Sequence, residues 1–284
     1  MIIDAHQHYW RLARGDYAWL SPQAGAVLYR DYMPEQLKPD LKQNNVVGTV
    51  LVQAAATMEE TEFMLEICKQ EETVLGVVGW LDLEGADFEK HYLRFRADSH
   101  FIGIRPNLPI VEDGDWSRYP KLLCNLALLD EDGFPIDFLI GPSDLPRIVK
   151  LLDLVPKLSA IVDHLAFPDI TGKGIGAWTD GMNLIAQFKN TACKLSGLAT
   201  GAGGMPWLAV DVAPYVERIC EVFGSERILF GSDWPVCLQA GSFTEILEIA
   251  REALPSSLTP SQRNAIFAGN AARIYRLDVK EMKE

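Results

Sequence analysis

The sequence predicts an α/β fold, a (β/α)8 barrel built as a single domain over residues 1–284. Short apolar runs alternate along the chain with longer amphipathic stretches, which is the order of strands and covering helices in a barrel of parallel strands. The length of 284 residues is close to the typical size of such a barrel, about 250 residues. No linker rich in Ser, Gly or Pro divides the chain, so we expect one domain.

Eight apolar runs are short enough to be strands and apolar enough to be buried on both faces, as the strands of a parallel sheet are. In chain order they are MIIDAH (1–6), GTVLVQAA (48–55), VLGVVGWLDL (74–83), FIGIRPNL (101–108), FPIDFLIG (134–141), LSAIVDHLAF (158–167), TACKLSGLA (191–199) and RILFGSDWP (227–235). An open doubly wound sheet is the alternative arrangement, but the sequence offers no glycine-rich phosphate loop for it.

Amphipathic stretches between these runs predict helices. Examples are MEETEFMLEICKQE (58–71), DLPRIVKLLDLVP (144–156), DGMNLIAQFKN (180–190) and WLAVDVAPYVERICEVFG (207–224). Near the C-terminus, Thr259, Pro260 and Gln262 have the pattern of an N-cap, a first-turn proline and a capping-box partner. We expect Gly269 to end that helix and the stretch 270–277 to start another.

The composition excludes several classes of protein. The formal net charge is −13, and there is no basic run, so neither nucleic acid nor an acidic membrane surface is an expected partner. No apolar stretch approaches the roughly 18 residues of a membrane span, and the first residues do not resemble a signal peptide. The five cysteines form no CxxC pair, which predicts reduced thiols in a soluble, cytoplasmic protein.

Titratable side chains are concentrated at the carboxyl ends of the predicted strands, which meet at one mouth of a barrel. Asp4, His6 and His8 are spaced by two on the first strand, so they share one face. His164 follows the sixth strand and Asp233 the eighth. An HxH pair alone is equally well explained by two hydrogen-bonded histidines. Because imidazole and carboxylate suit a divalent ion such as Zn²⁺, the combination predicts a metal site at His6, His8, His164 and Asp233.

Several motifs, in this order, resemble those of the amidohydrolase superfamily, in particular its branch of sugar-acid lactonases and pyrone-dicarboxylate hydrolases. They are DAHQHYW near the start, VDHLAFP, KLSG on the next strand, FGSDWP near the end and a closing NAARIYRL. Within that branch, GVVGWLDL, GIRPN and DWPVCLQAGSF are most similar to L-fucono-1,5-lactonases and related aldonolactonases. The resemblance covers nearly the whole chain and implies a distorted TIM barrel with a metal or water site at the four residues just named.

The sequence departs from the binuclear members of this superfamily, which use a carbamylated lysine or a bridging carboxylate and an additional histidine. Here the fourth strand offers Arg105 and the fifth offers Asp137, so the bridging lysine and the extra histidine are missing. The difference implies one divalent metal, with zinc the expected ion, or none. Without a metal, protonated histidines would partly take its place.

The expected reaction is hydrolysis of an intramolecular ester. Asp233 is the predicted general base, because a carboxylate beside a metal could take a proton from water and return it to the leaving oxygen. His6, His8 and His164 are the other predicted catalytic residues, since a metal they hold would polarise the carbonyl or acidify a bound water. The alternative for Asp233 is a structural aspartate in a turn.

Five residues are predicted to contact the substrate: Arg105, Lys194, Gln53, Trp80 and Trp10. The fork of Arg105 could bind a carbonyl or sugar-acid oxygen, or else form an ion pair at the barrel mouth. Lys194 would reach the site or extend to solvent. Gln53 and Trp80 would contact hydroxyl groups and stack on the sugar, or belong to the core.

The charge of the substrate follows from the same residues. A dianionic pyrone would need several arginines at the mouth, and only Arg105 is well placed, so the expected partner is a small, neutral, polyhydroxylated lactone. Tyr9, Trp10 and Trp19 could wall its pocket. Self-association into a homo-oligomer is a further option.

Alternatives to a lactonase remain open. One is another enzyme of the same superfamily, either a metal-dependent decarboxylase acting on an aromatic or muconic acid or a hydrolase of a pyrone or muconolactone. A decarboxylase would release carbon dioxide, which a lactonase does not. The other is a catalytically silent barrel that binds a partner, although the intact set of ligand residues speaks against it.

Overall fold

The structure, a computed structural model, describes residues 1–170, 175–198 and 208–279. Eight parallel strands form one sheet in which each strand pairs with the next along the chain. They are β1 (Ile2–Gln7), β2 (Val46–Val52), β3 (Val74–Gly79), β4 (Phe101–Ile104), β5 (Ile136–Phe138), β6 (Ala160–Val162), β7 (Thr191–Leu195) and β8 (Ile228–Phe230). Each overlaps one predicted run, so the predicted barrel is confirmed, while residue 199 of the seventh run lies outside the described residues.

Helices follow the strands along the chain, as the amphipathic stretches predict. They are α1 (Gly25–Leu28), α2 (Pro34–Gln43), α3 (Met58–Gln70), α4 (Phe88–Arg96), α5 (Pro120–Asp132), α6 (Leu145–Leu154), α7 (Ile175–Ile185), α8 (Ala209–Phe223), α9 (Phe243–Ala253), α10 (Pro260–Asn264) and α11 (Asn270–Ile274). Short 3₁₀ turns occupy Leu12–Arg14, Pro22–Ala24, Trp116–Arg118, Pro142–Asp144, Asp163–Ala166, Ser225–Arg227 and Val236–Gln239. The helix expected at 180–190 ends at Ile185, and residue 207 of the stretch 207–224 lies outside the described residues. Within the described ranges, no helix is both long and apolar enough to cross a bilayer.

The C-terminal helices differ in one respect from the prediction. The capping box is present, because Thr259 Oγ1 accepts the Gln262 N–H at 3.3 Å and Gln262 Oε1 accepts the Thr259 N–H at 2.9 Å. Gly269 does not end the helix, however, since its φ is −58° and a π-helical turn, Ala265–Gly269, joins α10 directly to α11. The buried side chains of this turn hold it against the barrel and outweigh the low helix propensity of glycine.

The interior of the barrel is filled by small and branched side chains. They are Ile3, Ala5, Val50, Val52, Val78, Ile102, Ile161, Ala192 and Leu229. Ala268, Ala271 and Tyr275 pack on the same cluster, so the C-terminal helices close the end of the barrel where the strands begin. The opposite end, where the strands finish, is left for the polar site.

The barrel closes through the residues that follow β8 rather than through β8 itself. The Asp233 N–H donates to the His6 carbonyl at 2.8 Å, and the His8 N–H donates to the Trp234 carbonyl at 2.7 Å. Asp4 reinforces this seam by accepting the Ser232 N–H at 2.8 Å. As a result, Asp233 is fixed beside His6 and His8.

Candidate active site

His6 and His8 lie at the carboxyl end of β1 with their rings close together. The distance between His6 Nε2 and His8 Nε2 is 3.2 Å, and both residues are buried. A Cβ at Gly231 would lie only 2.6 Å from the Cβ of His6. Because no other residue lacks a Cβ, glycine at this position is what permits the chain after β8 to approach His6 so closely.

Asp233 points its carboxylate at the same two rings. Asp233 Oδ1 lies 3.3 Å from His8 Nε2 and 3.8 Å from His6 Nε2. Its φ is +60°, in the left-handed region that Asp and Asn tolerate better than most residues do. Aspartate therefore suits this position twice, because it supplies the carboxylate beside the two rings and tolerates the left-handed backbone conformation.

His164 completes the group from the turn after β6. Its Nε2 lies 3.9 Å from Asp233 Oδ1, and its Nδ1 lies 2.8 Å from Ser196 Oγ. The chain from 164 to 167 passes through four successive residues with φ between 47° and 56°. Such conformations cost on the order of 1–3 kcal/mol each in non-glycine residues, and they cluster at functional sites. Gly197 makes room for this turn, since a Cβ there would lie 2.6 Å from that of His164.

The surroundings of the histidine rings bear on their protonation. His8 Nδ1 lies 2.7 Å from the Val52 carbonyl oxygen, which only accepts, so Nδ1 carries a proton. Burial lowers the pKa of His6 well below its usual value, and the charge of Lys194 adds to that effect. Burial also lowers the pKa of His164. The lowered pKa values keep the rings of His6 and His164 neutral at pH 7, as metal ligands must be.

Three of the four side chains, His6, His8 and Asp233, have the spacing of ligands of a single divalent metal ion. The ligands of a tetrahedral zinc ion, bound at about 2.0–2.1 Å, lie about 3.3 Å from one another. The separations among the ring nitrogens and Asp233 Oδ1 are 3.2, 3.3, 3.8 and 3.9 Å. His6, His8 and Asp233 form one of two clusters with metal-binding geometry among the described residues, and His164 belongs to the other, with His6 and Asp163.

Arg105 and Gln53 form the wall next to the histidines. Arg105 Nη1 lies 3.3 Å from His6 Nε2, and Arg105 Nη2 donates to the Gln53 carbonyl. The Gln53 side-chain amide donates in return to the Arg105 carbonyl at 2.9 Å. This reciprocal pair holds the guanidinium at the edge of the site.

A buried ionic network that the sequence analysis did not predict lies beneath the histidines. Lys194 Nζ contacts Asp137 Oδ2, lies 3.2 Å from Asp163 Oδ1 and lies 3.1 Å from His6 Nδ1. The Tyr275 hydroxyl donates to Asp137 at 2.7 Å. Burial opposes the charge of Asp163, but Lys194 and His6 outweigh it and hold the pKa of this carboxyl well below its usual value. Lys194 thus lies in the barrel interior rather than along the cavity or in solvent.

A cavity of about 510 Å³ opens above the four residues and is lined by His8, His164, Asp233, Arg105 and Gln53 together with loop residues. The aromatic residues are distributed unequally around it. Trp19 lines the cavity with 44% of its surface exposed, and its indole N–H donates to the Ala54 carbonyl at 2.8 Å. Trp10 is fully buried behind Trp19 and does not line the cavity, while Tyr9 is buried. Trp80 also lies outside the lining and donates its indole N–H to Asn107, which is part of it.

Glu60 anchors the loop that carries the cavity residue Ala54. Its carboxylate accepts the Ala54 N–H at 3.1 Å and the Tyr17 hydroxyl at 2.8 Å. Burial raises the pKa of Glu60 from 4.5 to about 7. The folded protein therefore keeps a proton on this carboxyl that the unfolded chain releases at lower pH.

This shift predicts how stability depends on pH. Because the folded pKa is the higher one, the contribution of Glu60 is fully present below pH 4.5 and is lost as pH rises to about 7. The largest loss it can cause is roughly 3 kcal/mol. Urea denaturation at pH 5 and pH 8 should show a smaller fall in the free energy of unfolding for Glu60→Gln than for the parent protein. An identical fall in both proteins would contradict the assignment.

The sequence profile of the amidohydrolase family matches residues 3–277. The chain belongs to the amidohydrolase family. The predicted resemblance is thereby confirmed.

Two relatives of this amidohydrolase bear on its site. An L-fucono-1,5-lactonase from Burkholderia ambifaria is 37% identical over 279 residues, which cover 97% of this chain and 96% of that protein. A crystal structure of an amidohydrolase from Burkholderia multivorans with bound zinc is 29% identical, has a TM-score of 0.88 and covers 98% of this chain and 99% of its own. The amidohydrolase described here thus has a candidate His/Asp metal site and a relative that binds zinc.

A more distant structure extends the likeness of fold alone. A probable 2-pyrone-4,6-dicarboxylic acid hydrolase from Acinetobacter baumannii is 16% identical, with a TM-score of 0.75, and covers 97% of this chain and 99% of its own. The two proteins therefore share the barrel fold over nearly their whole length.

Proposed function

We propose that this amidohydrolase hydrolyses a sugar-acid lactone, an aldonolactone such as L-fucono-1,5-lactone, to the open-chain aldonic acid. The observation that carries the proposal is the convergence of His6, His8, His164 and Asp233 beside a cavity of about 510 Å³. The 37% identity to an L-fucono-1,5-lactonase supports the substrate class.

Asp233 acts as the general base in this reaction. Its carboxylate takes a proton from the attacking water and delivers it to the ring oxygen as the ester C–O bond breaks. The products are a carboxylic acid and the hydroxyl group that had closed the ring. A single divalent ion, zinc by preference, would be held by His6, His8, His164 and Asp233 and would polarise the ester carbonyl or acidify the water.

Arg105 and Gln53 bind the substrate next to the reacting carbonyl. Arg105 is only 6% exposed to solvent. Its guanidinium donates to the Gln53 carbonyl, so its donors are fixed before substrate arrives. Fixed donors of this kind stabilise the oxyanion that develops on the carbonyl oxygen. Lys194 acts on the site through His6 and does not touch the substrate.

The charges of the cavity favour a neutral substrate. Among the described residues that line it, Arg105 is the one Lys or Arg, whereas Asp16 and Asp233 are carboxylates. The side chains alone therefore offer a dicarboxylate one guanidinium against two carboxylates, which is poor charge complementarity. A lactone with several hydroxyl groups instead finds both donors and acceptors on the wall.

Trp19 supplies an aromatic face for the sugar ring. Its indole is exposed at the cavity but anchored through Ala54. Because this contact lies away from the reacting bond, Trp19→Ala is expected to raise KM by roughly five- to tenfold with little change in kcat. Trp19→Phe keeps an aromatic face and should lose less. Steady-state kinetics with L-fucono-1,5-lactone test this, and an unchanged KM in Trp19→Ala would remove the residue from the binding site.

A panel of aldono-1,5- and 1,4-lactones, followed by acid release at pH 7 with and without chelator, tests the proposal. We expect turnover of at least one neutral aldonolactone and a loss of rate when the metal is removed. No turnover of any lactone by the zinc-loaded protein would overturn the lactonase assignment. Turnover that resists the chelator would overturn only the role of the metal, and carbon dioxide from aromatic acids would identify a decarboxylase.

A further inference from the structure

A second cavity lies at the opposite end of the barrel from the candidate active site. It has a volume of about 300 Å³ and is lined at the start of β7 by Thr191 and Ala192, just before β8 by Arg227, and in α11 by Arg273 and Ile274. We call it the basic cavity, because its described lining includes five cationic side chains: Lys157, Lys189, Arg227, Arg273 and Arg276.

The described lining of the basic cavity carries positive charge. It includes no Asp or Glu, although the chain as a whole has a net charge of −13. None of the five cations forms one of the ion pairs found among residues 1–170, 175–198 and 208–279. Asp130 does not line the cavity, but its carboxylate interacts with the charge and the backbone N–H of Lys157, so the charge of Lys157 is partly offset.

Backbone carbonyl groups hold the arginines in place. Arg227 Nη1 donates to the Ala186, Phe188 and Thr191 carbonyls at 3.0, 3.0 and 3.2 Å. These bonds satisfy the N–H groups but bring no negative charge to the guanidinium. Burial lowers the pKa of Arg227. Cations fixed in a concave, partly buried space create a strong positive potential there.

The two arginines from the C-terminal segment are held in the same way. Arg273 Nη2 donates to the Glu226 carbonyl, and Arg276 Nη2 donates to the Gly133 carbonyl at 3.0 Å. Arg276 has a φ of +54°, a left-handed conformation that favours glycine. Thus an arginine occupies a position where the backbone conformation favours glycine.

We propose that the basic cavity binds a small multivalent anion that carries phosphate or carboxylate groups. The volume of about 300 Å³ suits a small molecule rather than a macromolecular partner. The described lining includes no aromatic side chain, so there is no surface on which a nucleobase could stack. An anion bound there would join α11 to the strands β7 and β8 and would stabilise the folded barrel.

Binding of pyrophosphate and of citrate to the full-length protein, each at constant ionic strength, tests this proposal. We expect isothermal titration calorimetry to give a saturable isotherm with one site, and Tm to rise with the same concentration dependence. Tighter binding of pyrophosphate would identify phosphate as the recognised group, and tighter binding of citrate would identify carboxylate. No saturable binding of either anion would overturn the proposal.

Two matched double variants separate the basic cavity from general charge effects. Lys189→Gln/Arg273→Gln removes two exposed cations from the cavity, whereas Lys42→Gln/Lys90→Gln removes two exposed cations elsewhere. We expect Kd to rise at least about tenfold in the first variant and to stay near the parent value in the second. Equal Kd values in the two variants would contradict the assignment. If the first variant does not fold, Lys189→Gln alone, which changes one exposed side chain, gives the same comparison.

Discussion

Replacing Asp233 with Asn is expected to lower kcat for lactone hydrolysis by about 10²- to 10⁴-fold while leaving the fold intact. The amide cannot accept the proton of the attacking water, which removes the general base. Asn has nearly the same shape and tolerates the φ of +60° at this position. Steady-state kinetics, together with circular dichroism and Tm of the variant, check both parts of the expectation.

Asp16→Asn is the matched control for that variant. Asp16 lines the same cavity but pairs with Arg14, away from the three histidines. Its loss of a carboxylate charge should therefore change kcat far less. Near-parent rates in Asp233→Asn, or an equal loss in both variants, would remove Asp233 from the role of general base.

Replacing Lys194 with Met is expected to lower the free energy of unfolding by about 3–5 kcal/mol. The change leaves Asp137 and Asp163 buried without the ammonium group that they share. It also removes the contact of Lys194 with His6 Nδ1, so the ring would lose part of its support and kcat should fall as well. Urea denaturation and steady-state kinetics measure the two effects.

Two further variants distinguish a buried network from an ordinary ion pair. Lys38 pairs with Glu71 at 2.7 Å but is half exposed, so Lys38→Met should have little effect on stability. Adding Asp137→Asn to Lys194→Met removes one of the stranded carboxylates and should recover part of the lost stability. If Lys194→Met were as stable as the parent protein, the network would not support the barrel.

The barrel itself was predictable because each strand is a separate apolar run and each is followed by an amphipathic helix. The strand ends were less predictable. The run at 158–167, for example, is a strand only over Ala160–Val162, because the left-handed turn at His164 begins immediately afterwards. Hydrophobic periodicity reports burial, and both the strand and this turn are buried.

The candidate metal ligands are predictable from their positions at strand ends, but the residues beneath them are not. Asp163 precedes His164, and in a regular strand the two would point to opposite faces. The 3₁₀ turn Asp163–Ala166 instead brings both beside His6. Tyr275 follows α11 and reaches Asp137 inside the barrel, a contact between distant parts of the chain that no local pattern signals.

The aromatic residues near the N-terminus show a related limit of local patterns. Tyr9, Trp10 and Trp19 all suit a sugar pocket by type, yet Trp19 alone of the three lines the cavity. Trp10 is fully buried because Trp19 and Tyr32 pack against it edge to face, with ring centroids 5.3 and 5.4 Å away. Which ring is exposed depends on how the loop folds back, not on the residue type.

Hydrolysis of a sugar-acid lactone by Asp233 and the three histidines is tested by the initial rate of acid release from L-fucono-1,5-lactone. The zinc-loaded parent protein and Asp233→Asn are compared, each corrected for spontaneous hydrolysis. We expect a rate well above the spontaneous one for the parent protein and nearly none above it for the variant. A parent rate equal to spontaneous hydrolysis would overturn the proposed function.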